Sequence, residues 1–245
     1  MKYPLRLENP PIVDVILEFR FKSEIPSELI AGALWAKLSP TQQKFLKFEK
    51  LPTANIPKQL LEMNPNWKIQ PHFQFSSNEI LILIGANAVS FSVRSKYVCW
   101  EKFLEKCNDY LESFYQTGIA NSFYRVSLRY INFIDGDIFK LGNYSINCNN
   151  LRIESDSENI KFRMREANSN VVILSIMNDA TITSSFKKDF VGKHGSIIDI
   201  DSSREGCFTK ESLNELICSI HESSKKHFFM TIGTELLNSF KPCWE

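Results

Sequence analysis

The chain has 245 residues, 43% of them hydrophobic, and a formal net charge of +1. That fraction suffices for a sizeable core in one large domain or two small ones. The near-neutral balance excludes a general nucleic-acid binder, which would carry a strong basic excess, and the longest apolar run, from Ile80 to Val89, is interrupted by Gly85 and Asn87 and is too short to span a bilayer.

The N-terminal residues MKYPLRLENPP hold no apolar core of a signal peptide, so a reducing cytoplasm is the expected setting. The six cysteines, at 99, 107, 148, 207, 218 and 243, form no Cys-x-x-Cys pair and are expected to be reduced. Cys99, Cys107 and Cys218 fall in predicted helices, where Cys behaves as a small hydrophobe.

Asn9-Pro10-Pro11 fixes an extended entry, since proline neither sits in a helix interior nor donates to a ladder. The next residues, Ile12 to Phe21, alternate as a strand. Val13, Val15, Leu17, Phe19 and Phe21 make an apolar face; Asp14, Glu18 and Arg20 lie on the other. A helix is predicted from Pro26 to Leu38, with Leu29, Ile30, Ala33 and Leu34 as its stripe. Between 39 and 70, prolines at 40, 52, 57 and 65 permit only short helices and loop.

A meander follows. Phe73 and Phe75 open one strand, Glu79–Ile84 forms a second, and Val89, Phe91 and Val93 alternate in a third, with turns at Ser76-Ser77-Asn78 and Gly85-Ala86-Asn87. Trp100, Phe103, Leu104, Cys107, Leu111, Phe114 and Tyr115 recur at helical spacing from about Val98 to Thr117, and Gly118 suits the residue that closes that helix. The helix leads into Ser122–Asp135, a long central strand. On it Tyr124, Val126, Leu128 and Tyr130 share one face, and Arg125, Ser127 and Arg129 share the other. Ile131 and Phe133 then shift the period, which predicts a bulge or a second covered face.

Gly136 and Gly142 bracket the expected boundary between residues 1–137 and 138–245. Beyond it, strands are predicted at Tyr144–Ile153, Ile160–Glu166, Val171–Met177, Ala180–Phe186 and Ser196–Asp201. Asn168-Ser169-Asn170 and Asn178-Asp179 are read as turns. Thr209 is the expected N-cap of a long helix carrying Leu213, Leu216, Ile217, Ile220 and Phe228, with a break at Gly233. The fold class expected is α+β, in two similar halves, each an antiparallel β-meander packed against a long helix.

Asn9-Pro10-Pro11-Ile12-Val13, Leu128-Arg129-Tyr130-Ile131-Asn132 and Ile198-Asp199-Ile200-Asp201, in that order and spacing, resemble an uncharacterised prokaryotic family of similar length and sporadic distribution. The resemblance covers nearly the whole chain. It implies no established activity; the patchy distribution is like that of genes in mobile or anti-phage defence loci.

The residues offer two candidate chemistries. Asp14, Glu18, Arg20, Arg94, Lys96, Arg125, Arg129, Lys161, Arg163 and Arg165 recur at period two, so each set faces one side of its strand. Strands curled toward each other would present Arg forks able to bind phosphate oxygens bidentately, with Glu18, Arg20, Arg125, Arg129, Arg163 and Arg165 as ligand-binding residues. Arg125 and Arg129 would stand about 13 Å apart along their strand, a span suited to a nucleotide or polyphosphate. Such a surface resembles the interior of tunnel-type triphosphate enzymes. Their Glu-x-Glu-x-Lys strand is absent, however: the chain reads Asp14-Val15-Ile16-Leu17-Glu18-Phe19-Arg20, which argues against metal-dependent triphosphate hydrolysis. Against all of this stands an ordinary antiparallel sheet with one wet, salt-bridged face. The second candidate is Asp199 and Asp201, which share a strand face and could hold Mg²⁺, with Asp179 or Glu166 as a third ligand; the plainer reading is a strand end entering a Ser202-Ser203 turn. His72, His194, His221 and His227 show no zinc spacing, and neither a nucleophile motif nor a Gly-rich phosphate loop is present.

The leading expectation is a non-enzymatic binding or regulatory component of a prokaryotic multi-gene system, with anti-phage defence as one setting, its partner another protein of the same locus. The alternative is an enzyme or sensor for a phosphate-rich small ligand, nucleotide or polyphosphate, on the basic sheet face. No cofactor is expected; Mg²⁺ enters only under the alternative.

Overall fold

The computed structural model describes residues 3–93, 97, 99–141, 146–148, 151–153, 159–183 and 191–244, with backbone alone at 58, 61, 62, 65, 68, 146–148 and 151–153. Arg94, Lys96 and the predicted strand end at 184–186 lie outside them. In chain order the elements are β1 (Arg6–Leu7), β2 (Ile12–Arg20), α1 (Ser27–Lys37), α2 (Pro40–Phe45), β3 (Lys47–Lys50), α3 (Lys58–Met63), α4 (Pro65–Lys68), β4 (Phe73–Ser76), β5 (Ile80–Ile84), β6 (Ala88–Val93), α5 (Trp100–Tyr115) and β7 (Phe123–Asp135). They continue with α6 (Ile138–Leu141), β8 (Ile146–Cys148), β9 (Leu151–Ile153), β10 (Asn159–Arg165), β11 (Val171–Thr181), β12 (His194–Phe208), α7 (Lys210–Thr231), α8 (Thr234–Ser239) and β13 (Pro242–Cys243). Among the described residues, nine strands hydrogen-bond in the order β10-β11-β12-β7-β2-β6-β5-β4-β3, and the class is α+β with a large antiparallel sheet.

The chain divides into two compact units that are interleaved in sequence. One comprises Met1–Val15, Leu128–Ser203 and Ser219–Glu245; the other comprises Ile16–Ser127 and Arg204–Cys218. β2, β7, β12 and α7 each contribute residues to both.

In the 16–127 unit, alternation on β2 places Leu17 and Phe19 fully inside, and Phe21 follows them. Phe19 meets Phe123 at 5.1 Å between ring centroids and Phe21 meets Phe114 at 5.2 Å. Each such fully buried ring contributes about 1.5–3 kcal/mol. α5 presents Phe103, Cys107, Leu111 and Phe114 to the core, and Gly118 follows it at φ +69. Cys99 is its N-cap rather than a residue of the helix. α1 turns Ser27, Ile30, Ala31 and Leu34 inward, while Leu29 is 63% exposed. Leu29 lies one residue, about 100° of helical rotation, from Ile30 and so falls off the stripe. α2 starts at a capping box in which Ser39 Oγ accepts from Gln42 N and Gln42 Oε1 accepts from Ser39 N, with Pro40 in the first turn. The proline-dense stretch also holds β3, which the alternation of only four residues, Lys47–Lys50, did not announce. Its Phe48 stacks on Phe73 at 5.6 Å.

In the 128–203 unit, Ile134, Ile138, Val172, Leu174, Ile176, Ile198, Ile200, Ile232 and Leu236 form one core, with Phe228 and Phe240 packed on it. Three sequence expectations are corrected here. Tyr144–Ile153 is not one strand: β8 and β9 pair antiparallel, Ile146 opposite Ile153. Asn178-Asp179 is not a turn: β11 runs through it with a register shift between Met177 and Ala180, Asp179 absorbing the irregularity at φ +58. Nor does the strand end at Asp201. β12 continues through Ser202 and Ser203, both buried. Ser224 donates its hydroxyl to Ser202 Oγ at 2.8 Å, so a small polar residue fits a covered strand face. The apparent shift of period at Ile131 has a similar origin. Asn132 is buried among apolar neighbours because its amide donates to the Ile198 carbonyl at 3.1 Å. The predicted break at Gly233 separates α7 from α8.

Candidate functional site

The residues singled out on the charged face fall into distinct clusters. In the 16–127 unit, period two brings Glu18 and Arg20 to the same side of β2, and Arg20 Nε donates to Glu18 Oε1 at 2.6 Å. Arg125 Nη1 donates to the same oxygen at 3.0 Å and to Ser127 Oγ at 2.9 Å. One carboxylate thus serves two guanidiniums, and the Arg125 side chain is only 11% exposed. This is a satisfied, largely covered arrangement.

In the 128–203 unit, Arg129 donates Nε–H to Asp199 Oδ1 at 2.8 Å and Nη2–H to Oδ2 at 2.6 Å. The fork is bidentate, the stronger geometry for this pair. The hydrogen bonds it donates to Asp199 hold the guanidinium above its ordinary pKa against the opposing cost of burial, with the charges of Asp199, Asp201 and Asp14 adding to the effect. Arg129 is therefore the cation of a cluster of three aspartates. Asp201 shares the face of Asp199, but both oxygens of Asp199 accept from Arg129. Among the described residues, no group of three or more His, Cys, Asp or Glu is arranged to hold a metal ion.

Arg163 and Arg165 lie elsewhere, on β10, opposite Ile173 and Val171 of β11. Both are exposed, as is Lys161. Of the proposed extra metal ligands, Asp179 accepts from His194 Nε2 at 2.6 Å. Glu166 sits in a network of its own: Ser223 Oγ donates to Oε2 at 2.5 Å, and Oε1 meets Lys226 Nζ at 3.0 Å and His227 Nε2 at 3.2 Å. Burial works against the Glu166 charge, but these three donors together outweigh it and keep the carboxyl below its ordinary range. Asn170, fully buried, donates to Ser223 Oγ at 2.7 Å and joins the turn after β10 to α7. This network of Ser, Glu and His places the carboxylate between the other two, so the histidine does not meet the hydroxyl as a base must.

Sequence reasoning missed that network, and it missed a buried pair in the 16–127 unit, Ser27 Oγ and His72 Nδ1 at 2.8 Å. Burial lowers the His72 pKa. Neither was announced by spacing: the partners are separated by 57 and 45 residues.

No protein-family model matches the chain, and no curated protein is significantly similar to it. Among the described residues no helix is long and apolar enough to cross a membrane.

Proposed function

We propose that this protein is a non-enzymatic binding or regulatory component of a prokaryotic multi-gene system, with a protein of the same locus as its partner. The observation that carries the reading is the commitment of the two central arginines. Arg125 is held by Glu18, and Arg129 by both oxygens of Asp199. A phosphate ligand on this face would have to displace a carboxylate from each, giving up charge-assisted hydrogen bonds before forming its own. That cost disfavours the alternative, a nucleotide or polyphosphate site with or without Mg²⁺. The family resemblance supplies the genomic setting and anti-phage defence as a context for it.

Two measurements test this. Calorimetry and thermal shift with nucleoside triphosphates and inorganic polyphosphate, with and without Mg²⁺, should show no binding. Co-expression with products of adjacent genes should yield a co-eluting complex in size-exclusion chromatography. A saturable nucleotide heat that disappears in Arg129→Ala would transfer the assignment to the phosphate reading.

A further inference from the structure

The outermost strand of the 128–203 unit has a chemistry that the charged clusters do not use. Among the described residues β10 pairs only with β11, so one edge of a seven-residue strand carries backbone groups outside the ladder. Lys161, Arg163 and Arg165 alternate along it, exposed on one side. None of the ion pairs formed among the described residues engages them. On the opposite side, Phe162 is 51% exposed next to the buried Leu174 row.

Resting on the binding-module reading, we propose that the β10 edge is a strand-addition site for an extended acidic peptide segment of the partner, one that alternates Asp or Glu with apolar residues. Period two accounts for both requirements. An added strand would set its carboxylates against Lys161, Arg163 and Arg165, and its apolar residues beside Phe162. A second copy of this chain fits poorly, because antiparallel pairing of two β10 edges would oppose like charges. Nucleic acid also fits poorly. The row of Lys161 and Ser175 continues to Asp199, and that of Arg163 and Ile173 continues to Asp201. Carboxylates thus stand about 10 Å from the cations, two strand spacings away, and the whole chain is only +1. Phe162, exposed at the same edge, has no donor for a phosphate oxygen.

The test is fluorescence polarisation with a labelled synthetic peptide alternating Glu and Val. Wild type should bind it saturably. Lys161→Glu/Arg163→Glu/Arg165→Glu, with an unchanged urea midpoint, should bind about tenfold more weakly or worse, three exposed charge contacts having been reversed. A peptide of the same charge with Pro at a central Val should lose binding, because proline removes a ladder donor. Equal affinity in the reversed variant, retained binding of the proline peptide, or tighter binding of a single-stranded oligonucleotide would each overturn the assignment. Co-elution of a locus-encoded partner with wild type and reversed variant alike would refute the edge and leave the binding-module reading standing. Peptide binding as described without any locus-encoded partner would do the converse.

Discussion

Arg129→Ala separates a structural ion pair from a ligand contact. A bidentate, charge-assisted pair is worth about 1.5–3 kcal/mol when desolvated, whereas exposed pairs contribute about 0.2–1 kcal/mol. Here the Arg129 side chain is 47% exposed and that of Asp199 20%, so solvent screening pulls the value toward the middle, about 1–1.5 kcal/mol. Removing the arginine also leaves Asp14, Asp199 and Asp201 without the cation they all attract. Arg129→Ala should therefore cost more than Asp199→Ala, about 1–2 kcal/mol in total, or about 2–8 °C in Tm for a chain of this size. The assay is a double-mutant cycle read by urea denaturation at low ionic strength and repeated in high salt, where the coupling should shrink. A coupling energy below about 0.3 kcal/mol, with Tm unmoved by Arg129→Ala, would refute the reasoning and free the guanidinium for a ligand.

Other perturbations probe the frame around that pair. A Cβ at Gly195 would lie 2.2 Å from the Ile134 carbonyl oxygen and 2.8 Å from the Phe133 ring; Gly195→Ala should destabilise by about 2–3 kcal/mol in urea melts. Nothing lies within 4 Å of a Cβ at Gly32, on the exposed side of α1, so Gly32→Ala should stabilise by about 0.5–1 kcal/mol. Burial depresses the His72 pKa below its ordinary 6.5, so below that pH the unfolded chain binds more protons than the folded one. Stability should be intact above pH 6.5 and fall as pH drops below it, and His72→Gln should flatten that slope in urea midpoints taken across it. Glu166 acts at lower pH, its contribution being present above its ordinary 4.5 and lost as pH falls below it. Exposed Cys207 and Cys218 should react with an aromatic disulfide reagent before buried Cys107, its thiol pKa pushed up; early loss of Cys107 would mean that this face of α5 is not turned into the core.

Period two made β2 and β7 legible, and with them the Glu18–Arg20 neighbourhood, since residues two apart on a strand must share a face. The α+β class followed from the same patterns. What escaped were features decided by a partner distant in sequence. Ser202 and Ser203 look like a turn until Ser224 of α7 supplies a hydroxyl. Asn132 looks like a change of face until the Ile198 carbonyl accounts for its amide. At the site, period two placed Arg129 with Arg125 and Asp199 with Asp201, as ligand and metal residues. The contact that matters crosses from β7 to β12, and strand order is set by the whole topology rather than by either segment. Glu166 reads locally only as a third Mg²⁺ ligand, because its actual partners are supplied by the face of α7.

The interleaving of the two compact units bears on synthesis. A chain released as far as Ser203 lacks Arg204–Cys218, which the 16–127 unit needs, and Ser219–Glu245, which the 128–203 unit needs. Folding on the ribosome usually proceeds domain by domain from the N-terminus, but here no early segment is complete in itself. Both units wait for α7, whose residues they divide between Cys218 and Ser219. Until the chain beyond Ser219 emerges, the apolar residues of β11 and β12 lack Phe228, Ile232 and Leu236, which pack with them, so the nascent chain is at its most aggregation-prone when four-fifths of it has been made.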